Sequence, residues 1–239
     1  MIKAVFFDMY GTLAGFRPSR YEIQSQACAP FGVQVTQEGI TAGYASADAY
    51  MAQQNSVYPI RLRSPEEKDR FFSEYERLIL VRAGADVTAE QALDIWRAIG
   101  EVKYGLAAFD DVAPVMDVLA ARGLVIGMIT NIDRDGVELA AGLGLAGRLD
   151  VIVTSGEVGA DKPSPRIFVE ALRRAGVEAG QAVHVGDQPA SDVDGALAAG
   201  ISAVLLDRDG NHPGFDRCPR IVGMSELPSL LDELPAGSD

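Results

Sequence analysis

Short apolar runs, each ending at a polar or acidic residue, recur along this chain and constrain its fold more than any other feature. Ile2-Lys3-Ala4-Val5-Phe6-Phe7 ends at Asp8, and Leu124–Ile129 ends at Thr130-Asn131. Val151–Val153 ends near Thr154-Ser155-Gly156, Ala182–Val185 at Gly186-Asp187, and Ser202–Leu206 at Asp207. Each run is short and apolar, as a strand buried on both faces must be. Between them lie stretches with helical spacing. Val112–Arg122 carries Val115, Val118 and Leu119 on one face; Val137–Leu143 and Pro165–Ala175 do the same, and Asp192–Ala199 is stopped by Gly200. Strand and helix in alternation predict an α/β fold, a parallel sheet covered by helices.

Residues from about Pro18 to Ala108 break that rhythm. Tyr21–Phe31, Ile40–Gln53, Glu66–Arg82 and Ala89–Val102 read as helices, with no convincing strand among them. Val57–Arg63 reads as a loop closed by Ser64-Pro65. Ser64 followed by Glu67 has the spacing of a capping box. The expectation is a core of residues 1–16 and 109–239 with an all-helical insert, 17–108, acting as a lid over the sheet edge. One mixed, helix-rich domain is the plainer alternative.

Composition narrows the partners. The formal net charge is −13, which argues against nucleic acid or an anionic membrane, since both select for basic patches. A small phosphorylated molecule is not excluded, because a metal ion and one lysine supply positive charge locally. No stretch approaches the roughly 20 apolar residues of a membrane helix. Met1-Ile2-Lys3 runs straight into the first strand, which leaves no room for a signal peptide. Cys28 and Cys218 are far apart; a disulfide is allowed, but two reduced thiols in a cytoplasmic protein is the preferred reading. The tail Pro235–Asp239 is expected to fray.

In open α/β sheets ligands bind beyond the carboxyl ends of the strands. Asp8 stands at such an end, where a carboxylate serves as nucleophile or metal ligand, and Gly11 lets the following loop turn. Thr12, Thr130-Asn131, Lys162-Pro163, Gly186-Asp187 and Asp192 belong to the same set of strand ends. Taken singly, each has a plain structural reading. Asp8 could cap a strand, Thr130-Asn131 could be a turn, Lys162 could be solvated, and Asp187 or Asp192 could cap the next helix. Their convergence at adjoining strand ends favours chemistry. Three carboxylates beside one lysine would repel an anionic substrate, so a divalent cation is expected.

In order and spacing these motifs resemble the haloacid dehalogenase-like hydrolase superfamily, in its helical-cap branch. The resemblance covers residues 1–16 and 109–239 and implies a Rossmann-like core. It implies that Asp8 is the nucleophile and that Thr130 binds a substrate oxygen. Lys162 would neutralise charge, with Thr12 and Asn131 in the same catalytic set. Mg²⁺ would be held by Asp8, Asp187, the carbonyl of Tyr10 and Asp192, the last also supporting Lys162.

One departure bears on the reaction. Phosphatases of this superfamily usually carry a second aspartate two residues after the nucleophile, although metal-dependent relatives without it exist; this chain has Tyr10. Asp-x-Tyr-Gly-Thr resembles the first motif of L-2-haloacid dehalogenases, whose halide leaving group needs no proton. The fourth motif, Gly186-Asp187-Gln188-Pro189-Ala190-Ser191-Asp192, resembles the metal-binding form instead. The preferred reading is Mg²⁺-dependent hydrolysis of a small phosphorylated substrate. The alternatives are a metal-independent (S)-2-haloacid dehalogenase, with Arg17, Arg61 or Arg63 holding the substrate carboxylate, and a weakly active scaffold with a binding role. His184, in an apolar run, reads as packed near the core rather than as a ligand, and Trp96 as part of a packing face in the insert.

Overall fold

A computed structural model describes residues 1–234. The tail Pro235–Asp239 and the side chains of Ala52, Ser56 and Arg61 lie outside the described residues. In chain order the strands are β1 (Ala4–Phe7), β2 (Ala14–Arg17), β3 (Gly105–Ala108), β4 (Val125–Thr130), β5 (Val151–Thr154), β6 (Ala182–Gly186), β7 (Ser202–Leu206) and β8 (Arg220–Ile221). The helices are α1 (Arg20–Cys28), α2 (Gln37–Val57), α3 (Pro65–Arg82), α4 (Ala89–Ile99), α5 (Val112–Ala121), α6 (Gly136–Gly142), α7 (Ser155–Val158), α8 (Pro165–Ala175), α9 (Asp194–Ala198) and α10 (Leu227–Glu233). The chain forms two compact units, Met1–Gly15 with Leu106–Asp239, and Phe16–Gly105.

The first unit is built on a parallel sheet of order β5-β4-β1-β6-β7-β8. All four residues of β1 are buried, and they alternate between its faces. Val5 and Phe7 join Ile126, Met128, Val183 and Val185 in a cluster completed by Val115, Met116 and Leu119 of α5. Ala4 and Phe6 face the other way, with Val153, Ala182 and Ala203, under Ile167 and Phe168 of α8. Burying each large side chain contributes roughly 1.5–3 kcal/mol. A strand with apolar residues on both faces can therefore sit only in the middle of such a sheet.

The fold is the α/β arrangement that strand–helix alternation implies, with three elements that the pattern hid. β2 and β3 form their own two-stranded sheet. Their sequences, AGFR and GLAA, carry glycine and no alternation, so only pairing across a long sequence gap makes them strands. β8 is two residues long and exists because β7 offers an edge. The expected helix Asp192–Ala199 starts earlier, as a π-turn over Pro189–Val193, and continues as α9.

The second unit is helical. Ser64 and Glu67 form the capping box at the start of α3. Ser19 with Glu22 and Thr88 with Gln91 do the same for α1 and α4. Trp96 stacks on Phe72, with centroids 4.3 Å apart and planes 7° from parallel, a packing face between α4 and α3. The segment Val57–Arg63 holds a 3₁₀ turn at Ile60–Leu62. Arg63 is engaged within this unit, donating to the Tyr58 carbonyl at 3.0 Å and lying over the Phe71 ring. Cys28 and Cys218 are both free thiols.

Candidate active site

Strand register gathers the site. Phe7 on β1 is level with Met128 on β4 and with Val185 on β6. Asp8 therefore lies beside Ile129 and Gly186; Thr130 ends β4 and Asp187 follows the end of β6, each one residue further on. Here the sheet order also reverses direction: the chain runs outward from β1 through β4 and β5, then through β6 and β7 on the other side. That switch point is where open α/β sheets hold ligands. The Asp8 amide donates to the Val185 carbonyl at 2.9 Å, which fixes the last turn of the backbone before the loop. Tyr10 is half-buried in that loop and bridges to Ala14.

Lys162, on the segment between α7 and α8, is the cation of the cluster. Its Nζ donates to Asp8 Oδ1 at 2.5 Å and to Asp192 Oδ1 at 2.6 Å. Its peptide is gripped by Asn131, whose Nδ2 donates to the Lys162 carbonyl at 3.0 Å and whose Oδ1 accepts from the Lys162 amide at 2.7 Å. Asn131 thus positions the lysine through both ends of its amide. Thr12 and Thr130 are buried, and the Thr12 hydroxyl has no hydrogen-bond partner among the described residues.

Asp187 completes the acidic cluster. Oxygens of Asp8, Asp187 and Asp192 come within 4.8 Å of one another. Asp192 is already engaged, for its Oδ2 accepts from the Gln188 amide at 3.0 Å. Asp187 Oδ1 is buried with no hydrogen-bond partner among the described residues. Two glycines make room for this crowding. A Cβ at Gly11, where φ is +84°, would fall on the Asp187 carboxylate, and one at Gly186 would fall on that of Asp192.

Electrostatics follow from the geometry. Burial pushes the Asp8 carboxyl up to about 6, against the pull of Lys162 and with a further push from Asp192. Burial also drives Asp187 well above the usual carboxylate range, and the charges of Asp8 and Asp192 add to it. Burial opposes ionisation of Asp192 as well, but Lys162 and His184 outweigh it and hold that carboxyl low. Lys162 is raised, because Asp192 and Asp8 outweigh its desolvation. Two carboxyls that ionise reluctantly, one with an orphaned oxygen, fit a hard divalent cation bound through oxygen.

Two partners of the site were not read as such from sequence. Arg208, just after β7, donates to both oxygens of Asp111 at 2.8 and 2.9 Å and to the Thr12 carbonyl at 3.0 Å, which pins the loop after Asp8. His184 is fully buried on β6, as its apolar run implies, with its Nε2 3.0 Å from Asp192 Oδ1. Only its position three residues before Asp187 signalled the second.

The model of the haloacid dehalogenase-like hydrolase family matches residues 2–200. The chain belongs to this family and is a hydrolase. It is 43% identical over 117 residues to haloacid dehalogenase-like hydrolase domain-containing protein 3 of Mus musculus, covering 48% of this chain and 45% of that relative, so this match spans under half of the relative's length. It is 30% identical over 210 residues to glyceraldehyde 3-phosphate phosphatase of Methanopyrus kandleri, covering 87% of this chain and 85% of that protein. Among solved structures it resembles a 2-haloacid dehalogenase from Pseudomonas syringae pv. Tomato, with 28% identity, a TM-score of 0.55, and 98% of this chain and 99% of that one covered.

Proposed function

We propose that this hydrolase cleaves a small phosphorylated substrate with the help of Mg²⁺, using Asp8 as nucleophile. The observation that carries the reading is Asp187, a carboxylate with an orphaned buried oxygen beside Asp8 and Asp192. A second acid in that place is a burden to an enzyme that works without a cation. Asp8 and Asp187 would hold the ion by their side chains and Tyr10 by its carbonyl, with Asp192 closing the acidic ring. Bound there, Mg²⁺ supplies the positive charge that lets an anionic phosphoryl group approach.

The chain's own residues then have distinct tasks. Lys162 occupies Asp8 Oδ1, and Oδ2 is the attacking oxygen. It forms a bond to phosphorus as the bond to the leaving oxygen breaks, and water later cleaves the aspartyl phosphate. The Thr130 hydroxyl binds a phosphoryl oxygen, with Thr12 in the same pocket wall. Asn131 keeps Lys162 in place. The helical insert, residues 17–108, is assigned the role of substrate-selecting cap. The similarity to a glyceraldehyde 3-phosphate phosphatase over most of both chains supports a phosphorylated substrate.

Tyr10 and the likeness to a 2-haloacid dehalogenase favour a second reading, metal-free carbon–halogen cleavage by the same nucleophile. Two assays separate the readings. Phosphate release from p-nitrophenyl phosphate is expected with Mg²⁺, at background with EDTA, and lost in Asp8→Asn. Robust chloride release from 2-chloropropionate in EDTA overturns the phosphatase reading. Turnover that survives Asp8→Asn removes Asp8 as nucleophile in both.

A further inference from the structure

Asp192 has more donors than a simple partner for Lys162 needs. Its Oδ2 takes the Gln188 amide. Its Oδ1 takes Lys162 Nζ at 2.6 Å and faces His184 Nε2 at 3.0 Å. The His184 ring is held on its other sides by apolar matter. It lies in the middle of β6, level with Phe6 on β1 and Ala203 on β7, and edge-on to Phe168 of α8 with centroids 5.1 Å apart. Its Nδ1 has no hydrogen-bond partner among the described residues.

This arrangement fixes the tautomer. A carboxylate only accepts, so the proton sits on Nε2 and the lone pair on Nδ1. His184 Nε2 is then the donor held against Asp192.

We infer that His184 is a positioning residue for the reaction: its hydrogen bond takes up part of the Asp192 charge, so that Lys162 stays shared with Asp8 instead of collapsing onto Asp192. The inference rests on Asp8 being the nucleophile. The geometry requires such a balance. Lys162 has contacts of 2.5 and 2.6 Å to two carboxylates; Asp8 also takes a backbone hydrogen bond from Met9, and the Gln188 amide and His184 weigh on the side of Asp192. In low-dielectric surroundings one neutral hydrogen bond to a charged oxygen is enough to tilt it.

The test uses the full chain with two substitutions. His184→Phe keeps an aromatic ring against Phe168 but removes the donor. His184→Gln offers an amide Nε2 in place of the ring Nε2. On p-nitrophenyl phosphate with Mg²⁺, His184→Phe should lower kcat by about 10–100-fold, the range for lost groups that orient a site from behind. KM should stay within about twofold, thermal melting should change little, and His184→Gln should recover most of the loss. An unchanged kcat in His184→Phe, or a Gln variant as impaired as the Phe variant, overturns the inference.

If the wild-type chain shows no Asp8-dependent phosphate release, the functional reading itself fails, and a second measurement judges His184. The chain has two histidines, so ¹⁵N spectra with a His212→Gln control assign each ring. An Nε2–H tautomer at neutral pH, with the Lys162 ammonium resonance displaced in His184→Phe, supports the hydrogen-bonded chain. An Nδ1–H tautomer or an unmoved lysine resonance rejects it.

Discussion

The two units each bury a carboxylate network, and they treat it in opposite ways. In the α/β unit, Asp8 and Asp192 share the ammonium of Lys162, and charge is met by charge. In the helical unit, Glu76 on α3 is fully buried, and its hydrogen-bond partner among the described residues is a neutral amide, the Gln24 Nε2 on α1 at 3.2 Å. That amide also reaches the Tyr44 hydroxyl at 3.2 Å, and Glu76 Oε1 has no partner among the described residues. Burial consequently raises the Glu76 carboxyl to about 7, although Gln24 opposes the rise. One network sets its acids against a cation; the other is a contact with a neutral amide that favours the protonated acid. A buried acid alone does not make a candidate site; buried acids converging on a cation at a sheet edge do.

The largest expected effect comes from abolishing that contrast. Lys162→Met leaves Asp8 and Asp192 buried without a cation and should cost about 3–5 kcal/mol in urea unfolding at neutral pH. It should also remove phosphate release. Stability equal to wild type would show that the lysine does not hold the acids together.

Next is the pH response of the helical unit. Folded Glu76 keeps its proton to about pH 7, against an ordinary value of 4.5. Its stabilising contribution is complete below pH 4.5 and is lost as pH rises through 7, because the unfolded chain releases the proton first. Glu76→Gln should flatten that slope and gain roughly 2–3 kcal/mol at pH 8. Parallel stability curves for the two proteins between pH 4.5 and 8 would count against a buried, proton-holding Glu76.

The smallest effect sharpens the catalytic side. Tyr10→Asp restores a general acid–base two residues after the nucleophile, and phosphate release should rise by about tenfold or more, within the usual span of such a group. No gain would mean that position 10 does not limit turnover.

Much of this was written locally. The runs ending at Asp8, Thr130 and Asp187 are strands because their apolar residues fit a sheet buried on both faces, and α8 matches its helical spacing from Pro165 to Ala175. The eight residues singled out for chemistry all lie in the α/β unit, and several of them touch. The roles were less legible. Asn131 spends its amide on the Lys162 peptide, 31 residues away, and nothing in Thr130-Asn131 announces that partner. The Arg208–Asp111 pair spans 97 residues and reaches back to Thr12, in a loop whose sequence reads as ordinary turn chemistry. The π-turn at Pro189–Val193 encloses Asp192, whose carboxylate bonds back to the Gln188 amide.

The chain's own order of residues determined the central strands, the main helices and which acids stand at strand ends, because period, turn residues and burial act over a few neighbours; β2, β3 and β8 waited on their partners. The tertiary structure decided how those acids meet. Parallel register brought Asp8 level with Gly186, Lys162 was threaded between Asp8 and Asp192, and His184 came to rest behind them. Charge balance in a buried cluster depends on distances of a few ångströms between groups far apart in the chain, and only the packed sheet sets those.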